Sequence, residues 1–266
     1  MSGILINIDP VIFHFGVFEL RWYSLAIMLA LVAALLISVR QGKKTGVVSE
    51  EIYSLAVWVV ISGVVGARLF HVIDRWDYYS TNLLQIWQFQ QGGLAIWGAL
   101  AGGGLALFLY ARYKHLSLGR LADTLVPGLL VGQMIGRLGC IVNGDAYGAI
   151  TSLPWGFIYI NPGASIPAEF FGVPTHPYPV YEIIWNAISL AIISRLGRHL
   201  KQDGQVFLSY LALYSLGRFT LTFIRQETQF FWGLQQAHII ALLGIIISLI
   251  LITYLTHRRR ISQVLN

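Results

Sequence analysis

WYSLAIMLALVAALLISVRQGKK, Trp22 to Lys44, decides what kind of chain this is. From Tyr23 to Val39 it holds no charge, and then it closes on Arg40, Lys43 and Lys44. A helix over that run rises about 1.5 Å per residue and, with its flanks, crosses a hydrocarbon layer of about 30 Å. Similar apolar runs follow at 53–73, 94–110, 121–142, 180–194, 206–223 and 237–254. Composition agrees: 56% of the 266 residues are apolar, 11% are charged, and mean hydropathy is +0.66. These values exclude an ordinary soluble domain. The sequence predicts an all-α integral membrane protein of about seven transmembrane helices, organised as one polytopic domain over 1–266.

Basic residues orient the spans. Arg40, Lys43, Lys44, Arg112, Lys114, Arg120, Arg195, Arg198, Lys201 and Arg258 to Arg260 all fall on one side of a seven-span arrangement. That side is the expected cytoplasm, with the N-terminus outside and the C-terminus inside. The net charge of +6 is therefore a topological signal, and no nucleic-acid partner is expected. The first ten residues lack a basic region, and the first apolar run ends in basic residues, so no cleaved signal peptide is expected. Cys140 is the single cysteine, which excludes an intrachain disulfide and a cysteine-based zinc site. The segment 74–91 is aromatic, with Trp76, Tyr78, Tyr79 and Trp87, and reads as interfacial. The segment 143–177 is rich in Pro and Gly and has no Lys or Arg. It reads as a small extracytoplasmic cap between spans four and five.

The other basic residues are all arginines: Arg21, Arg68, Arg75, Arg137, Arg218 and Arg225. In this topology they collect in the outer half of the membrane or just beyond it. Burying charge there is costly and needs a reason. Arginine offers a planar fork that suits phosphate and stays ionised. One reading is an anion site for a phospholipid headgroup. The other is snorkelling, or internal pairing with Asp74, Asp145 or Glu182. Snorkelling suits Arg21, Arg75 and Arg225, at span ends, whereas Arg137 and Arg218 lie deeper and point to function. Gly128, Gly132 and Gly136, like Gly98 and Gly102, form small-residue ridges for close helix packing. Gly92 and Gly93 suggest a turn whose N–H groups could face an anion.

GRLGCIVNGDAYG, Gly136 to Gly148, resembles the signature of the prolipoprotein diacylglyceryl transferase family. The blocks RWYS, GARLF, GGLAIWGAL, HPYPVYE and YSLGRF follow that family's order. The resemblance implies transfer of the diacylglyceryl group of phosphatidylglycerol to the lipobox cysteine thiol of a prolipoprotein signal peptide, with glycerol phosphate released. It places the work in the bacterial inner membrane, facing the outer leaflet, and calls for no metal or nucleotide cofactor. By resemblance Arg137 binds the lipid phosphate, Arg218 assists, and Tyr23, Arg68, Asn143, Gly148 and Trp97 shape the headgroup site. The sequence departs from the pattern in four places. Trp97 stands where many relatives have histidine, Cys140 where asparagine is common, Asp145 where glutamate is usual, and Thr222 where an acid often follows. The acceptor thiol must lose a proton, and Asp145 is the first candidate base, followed by His71 and Tyr23. Two other readings stay open: a related transferase with another acceptor, and a non-catalytic lipid-binding protein or anion carrier.

Overall fold

The computed structural model describes residues 3–16, 18–88, 92–225, 229–231 and 234–264. Gln91, which closes the aromatic segment, lies outside them, as do the side chains of Arg258, Arg259 and Arg260. The chain is mostly helical. Each of the seven apolar runs coincides with a helix: α1 Trp22–Thr45, α2 Ser49–Asp74, α4 Ile96–Tyr113, α5 Leu118–Asn143, α6 Tyr178–Leu196, α7 Gln205–Thr222 and α8 Gln236–Val264. Between α2 and α4 lies the one-turn α3, Trp76–Tyr79. Among the described residues, four helices are long and apolar enough to cross a membrane: α1, α2, α5 and the Gln236–His257 part of α8.

Burial is inverted relative to a protein in water. Met28, Leu29 and Leu31 on α1, Trp58 and Ile61 on α2, and Ile246, Ile247 and Ile250 on α8 are exposed, while Thr124, Ser189, Ser209 and Ser248 are buried. Apolar exposure on this scale needs an apolar solvent.

By contact density the chain forms two compact units, Met1–Ile37 with Leu125–Asn266, and Ser38–Thr124. In the second, α2 and α4 pack through glycines with almost no gap. A Cβ on Gly98 would stand 2.1 Å from the Gly66 carbonyl oxygen, and one on Gly102 would stand 2.2 Å from that of Ser62. Here Gly66, on the facing helix, completes a ridge that the sequence showed only on α4. At the far end of this pair Tyr110 donates to Glu51, and Lys114 pairs with the same carboxylate at 3.3 Å.

Arg68, on α2, is 4% exposed and secures the connection to α4. Its guanidinium donates to the carbonyls of Gln85, Ile86 and Gln88 and to those of Gly92 and Gly93. It also lies 5.4 Å from the Tyr79 ring centroid. Gly92 and Gly93 both have positive φ, and both carbonyls accept from Arg68. Around it, Leu83–Trp87 forms a 3₁₀ turn. Trp76, Tyr78 and Trp87 are exposed, and Tyr79 is buried edge-on against His71. Arg68→Ala should leave several of these carbonyls without a charged donor, at about 2–4 kcal/mol. Limited proteolysis should then cut within 80–92 faster than in the parent protein.

In the first unit, β1 (Ile4–Ile6) pairs in parallel with β4 (Phe157–Tyr159), and β2 (Val11–Phe15) forms a hairpin with β3 (Phe18–Arg21) that runs straight into α1. Ile6, Phe157, Tyr159 and Ile166 make a small core, roofing Ile141 of α5 and Val180 of α6. Helix α5 lies against α1 through Gly132, opposite Ala30, and Gly139, opposite Ala26 and Tyr23.

Candidate active site

The signature residues lie where α5 ends. Gly144 takes φ +76, a left-handed stop that glycine adopts without penalty. Its N–H donates to the Cys140 carbonyl at 2.9 Å, and the Tyr159 ring lies 3.3 Å from where a Cβ would project. Asn143 closes the helix, and its carbonyl accepts from Ser165 at 2.8 Å. The chain then runs between the start of α6 and the end of α7. Gly148 donates to the His176 carbonyl at 3.1 Å, and Ala149 donates to that of Ile224 at 2.7 Å. A side chain on Gly148 would press on His176 and on the Ile224 carbonyl, at 2.8 and 3.0 Å. This threading draws α5, α6 and α7 together.

A second close approach sets α6 against α7. Gly217 precedes Arg218, and the Trp185 indole nitrogen sits 2.0 Å from where a Cβ on Gly217 would be. That indole donates to the Leu213 carbonyl at 2.9 Å.

Three helices thus deliver charge to one place. Arg137 of α5 grips Glu182 of α6 with both arms: Nε lies 2.6 Å from Oε2, and Nη2 donates to Oε1 at 2.9 Å. Arg218 of α7 donates through Nη1 to the Tyr178 hydroxyl at 2.8 Å, with Oε1 of Glu182 3.7 Å away. The Arg225 guanidinium lies 5.3 Å from the Tyr178 ring centroid. Two guanidinium groups against one carboxylate leave these three groups net positive. The carboxylate side chain is 11% exposed, while those of Arg137 and Arg218 are 27% and 21% exposed, so the guanidinium side is the accessible one. Forked cations can hold an anion through paired N–H donors.

Two of the departures from the family pattern, Cys140 and Thr222, have defined local surroundings. Cys140 is buried with Ala146 and Tyr178, its sulfur 3.8 Å from Nη1 of Arg137. Thr222 is fully buried, and its hydroxyl donates to the Arg218 carbonyl at 2.5 Å, tying the helix around that arginine. Asp145 is exposed. Burial, and then the Asp145 charge, push the Tyr159 phenol above its ordinary value. Tyr159 donates to the Ile141 carbonyl at 2.9 Å. Tyr23, in the first turn of α1, lies beside Gly139, two residues after Arg137 on α5. His176 meets the Tyr181 hydroxyl at 3.1 Å. Arg68 and Trp97 belong to the other unit, Trp97 in the first turn of α4. Glu182 appeared in the sequence as one of three possible arginine partners. Tyr178 was not singled out, and only its place two residues after His176 in the HPYPVYE block could have drawn notice.

A model of the prolipoprotein diacylglyceryl transferase family matches residues 10–254. The phosphatidylglycerol–prolipoprotein diacylglyceryl transferase of Dehalococcoides mccartyi is 37% identical over 256 residues, 96% of each chain. The enzyme of that name from Clostridioides difficile is 32% identical over 95% of this chain and 97% of its own. That of Lysinibacillus sphaericus is 35% identical over 96% and 94%. Since the matched region takes in every element of the arginine cluster, the chain belongs to the prolipoprotein diacylglyceryl transferase family.

Proposed function

We propose that this protein moves the diacylglyceryl group of phosphatidylglycerol onto the lipobox cysteine thiol of prolipoprotein signal peptides. The convergence of Arg137 and Arg218 on Glu182 carries the reading. A phosphodiester is an anion that both forks fit, and Glu182 holds them in register when no lipid is present. The thiolate attacks the glycerol carbon that bears the phosphate. The new C–S bond forms as the C–O bond breaks, and the oxygen leaves with the electron pair as glycerol phosphate. Negative charge concentrates on that phosphate in the transition state, where pre-placed guanidinium groups stabilise it most. The thiol proton goes to a base, and Asp145 is our assignment: it is exposed, and its charge reaches Tyr23 and Cys140. Tyr23, Asn143 and Gly148 shape the headgroup site from the α1 and α5 ends, with Gly148 acting through the close threading it permits. Within the α2–α4 unit, Arg68 holds the carbonyls of Gln85, Ile86, Gln88, Gly92 and Gly93, and Trp97 stands in the first turn of α4.

The proposed setting is the bacterial inner membrane, with all seven long helices spanning it and the site in the outer leaflet. The Lys and Arg distribution supports this orientation. The β1–β4 pairing also supports it, since it ties the N-terminal strand to the 144–177 segment and so puts both on one side. Complementation tests the function. Expressed in cells depleted of their own transferase, the protein should restore prolipoprotein lipidation, read as a diacylglyceryl adduct by mass spectrometry. Growth without any lipidated cysteine, or lipid transferred to a different acceptor, would overturn the assignment.

A further inference from the structure

Tyr178 is fully buried at the head of α6, and it touches three members of the charged cluster, Arg218, Glu182 and Arg225. Its hydroxyl accepts from Nη1 of Arg218 at 2.8 Å and interacts with the Glu182 carboxylate. Its ring faces the Arg225 guanidinium and packs with Cys140, Ala146 and Leu221. From this geometry we infer that Tyr178 is a positioning residue: its phenol holds the Arg218 fork off Glu182 and turned toward the departing phosphate.

The inference rests on the phosphate reading of Arg137 and Arg218 given above. Nη1 of Arg218 has the phenol oxygen at 2.8 Å and Oε1 of Glu182 at 3.7 Å. Attraction between the two charges grows as the distance falls, and it is poorly screened where water is scarce. Without the phenol oxygen, the fork closes onto Glu182 and neutralises it. Arg218 then has less to give the leaving group, whereas Arg137 keeps its own two-armed contact. Tyr178 therefore governs the rate of the chemical step more than it governs lipid binding.

The test compares Tyr178→Phe with the parent in phosphatidylglycerol membranes, using a lipobox signal peptide as acceptor. The ring stays, so its packing and its contact with Arg225 stay. The kcat should fall about 10- to 100-fold, the scale of one lost hydrogen bond to a charged group, while KM for phosphatidylglycerol changes less than about 3-fold. Tyr210→Phe is the structural control. It removes another buried tyrosine hydroxyl, which accepts from Gln133 at 2.7 Å away from the arginines, and its kcat should match the parent. An unchanged kcat in Tyr178→Phe overturns the inference, as does an equal loss in both variants, which would mean simple loosening of the bundle. Arg137→Ala, run alongside, separates the two layers. If it is inactive while Tyr178→Phe works normally, only the role of Tyr178 falls. If Arg137→Ala is fully active, the phosphate reading falls and takes this inference with it.

Discussion

Arg137→Ala is expected to lower diacylglyceryl transfer by about 10³-fold or more, the scale for removing a cation that meets developing phosphate charge. Two effects combine in that number, and they are separable. Arg137 contacts Glu182 through Nε and Nη2, so its removal leaves a buried carboxylate with less compensation, a change that costs about 3–5 kcal/mol in buried pairs. Part of the lost activity would then be lost protein. Arg137→Lys distinguishes the causes. A lysine keeps a positive charge near Glu182 but cannot present two parallel N–H donors to a phosphate. The melting temperature in detergent should stay close to the parent's, while turnover drops by about 10²-fold. Full activity in Arg137→Lys would mean that charge alone suffices and the fork is irrelevant. Full activity in Arg137→Ala would remove the phosphate contact from the mechanism.

Much of this architecture was legible because membrane helices announce themselves by length and apolarity. The run 23–39 has nothing a bilayer would reject, and it lies within α1. The short strands had no comparable signal. Ile4–Ile6 finds its partner at Phe157–Tyr159, and three residues whose partner is so distant carry no periodicity. Arg137 and Arg218 were legible as a pair because charge at that depth demands an explanation, and Glu182 was among the few acids that could supply one. Arg68 shows the opposite limit. It donates to five backbone carbonyls, and a carbonyl leaves no mark in a sequence. Tyr178 was hidden for a different reason. An aromatic residue at a helix start near the interface is ordinary, and only its contact with Arg218 sets it apart.

The α2–α4 seam supplies the second large expected effect, on stability. Gly98→Val would place a branched side chain where Cβ alone stands 2.1 Å from the Gly66 carbonyl oxygen and 2.6 Å from the Phe70 Cβ. Rotamer choice cannot relieve the first clash, because the obstacle is backbone and because the new atom is Cβ itself. The two helices must move apart, and separation also opens the adjoining contact of Gly102 with Ser62. Overpacking of this kind costs about 1–3 kcal/mol and more when backbone must shift, and close approach is what small residues provide between membrane helices. Gly98→Val should therefore sharply lower the melting temperature in detergent, with Gly98→Ala intermediate. Gly104, on the same helix, gives the opposite result. A Cβ there meets nothing within 4 Å, so Gly104→Ala relieves the helix of a flexible residue and should be neutral or stabilising by up to about 1 kcal/mol. Equal effects at Gly98 and Gly104 would mean that helix propensity, and not the tight seam, sets the cost, and the close approach of α2 to α4 would lose its support.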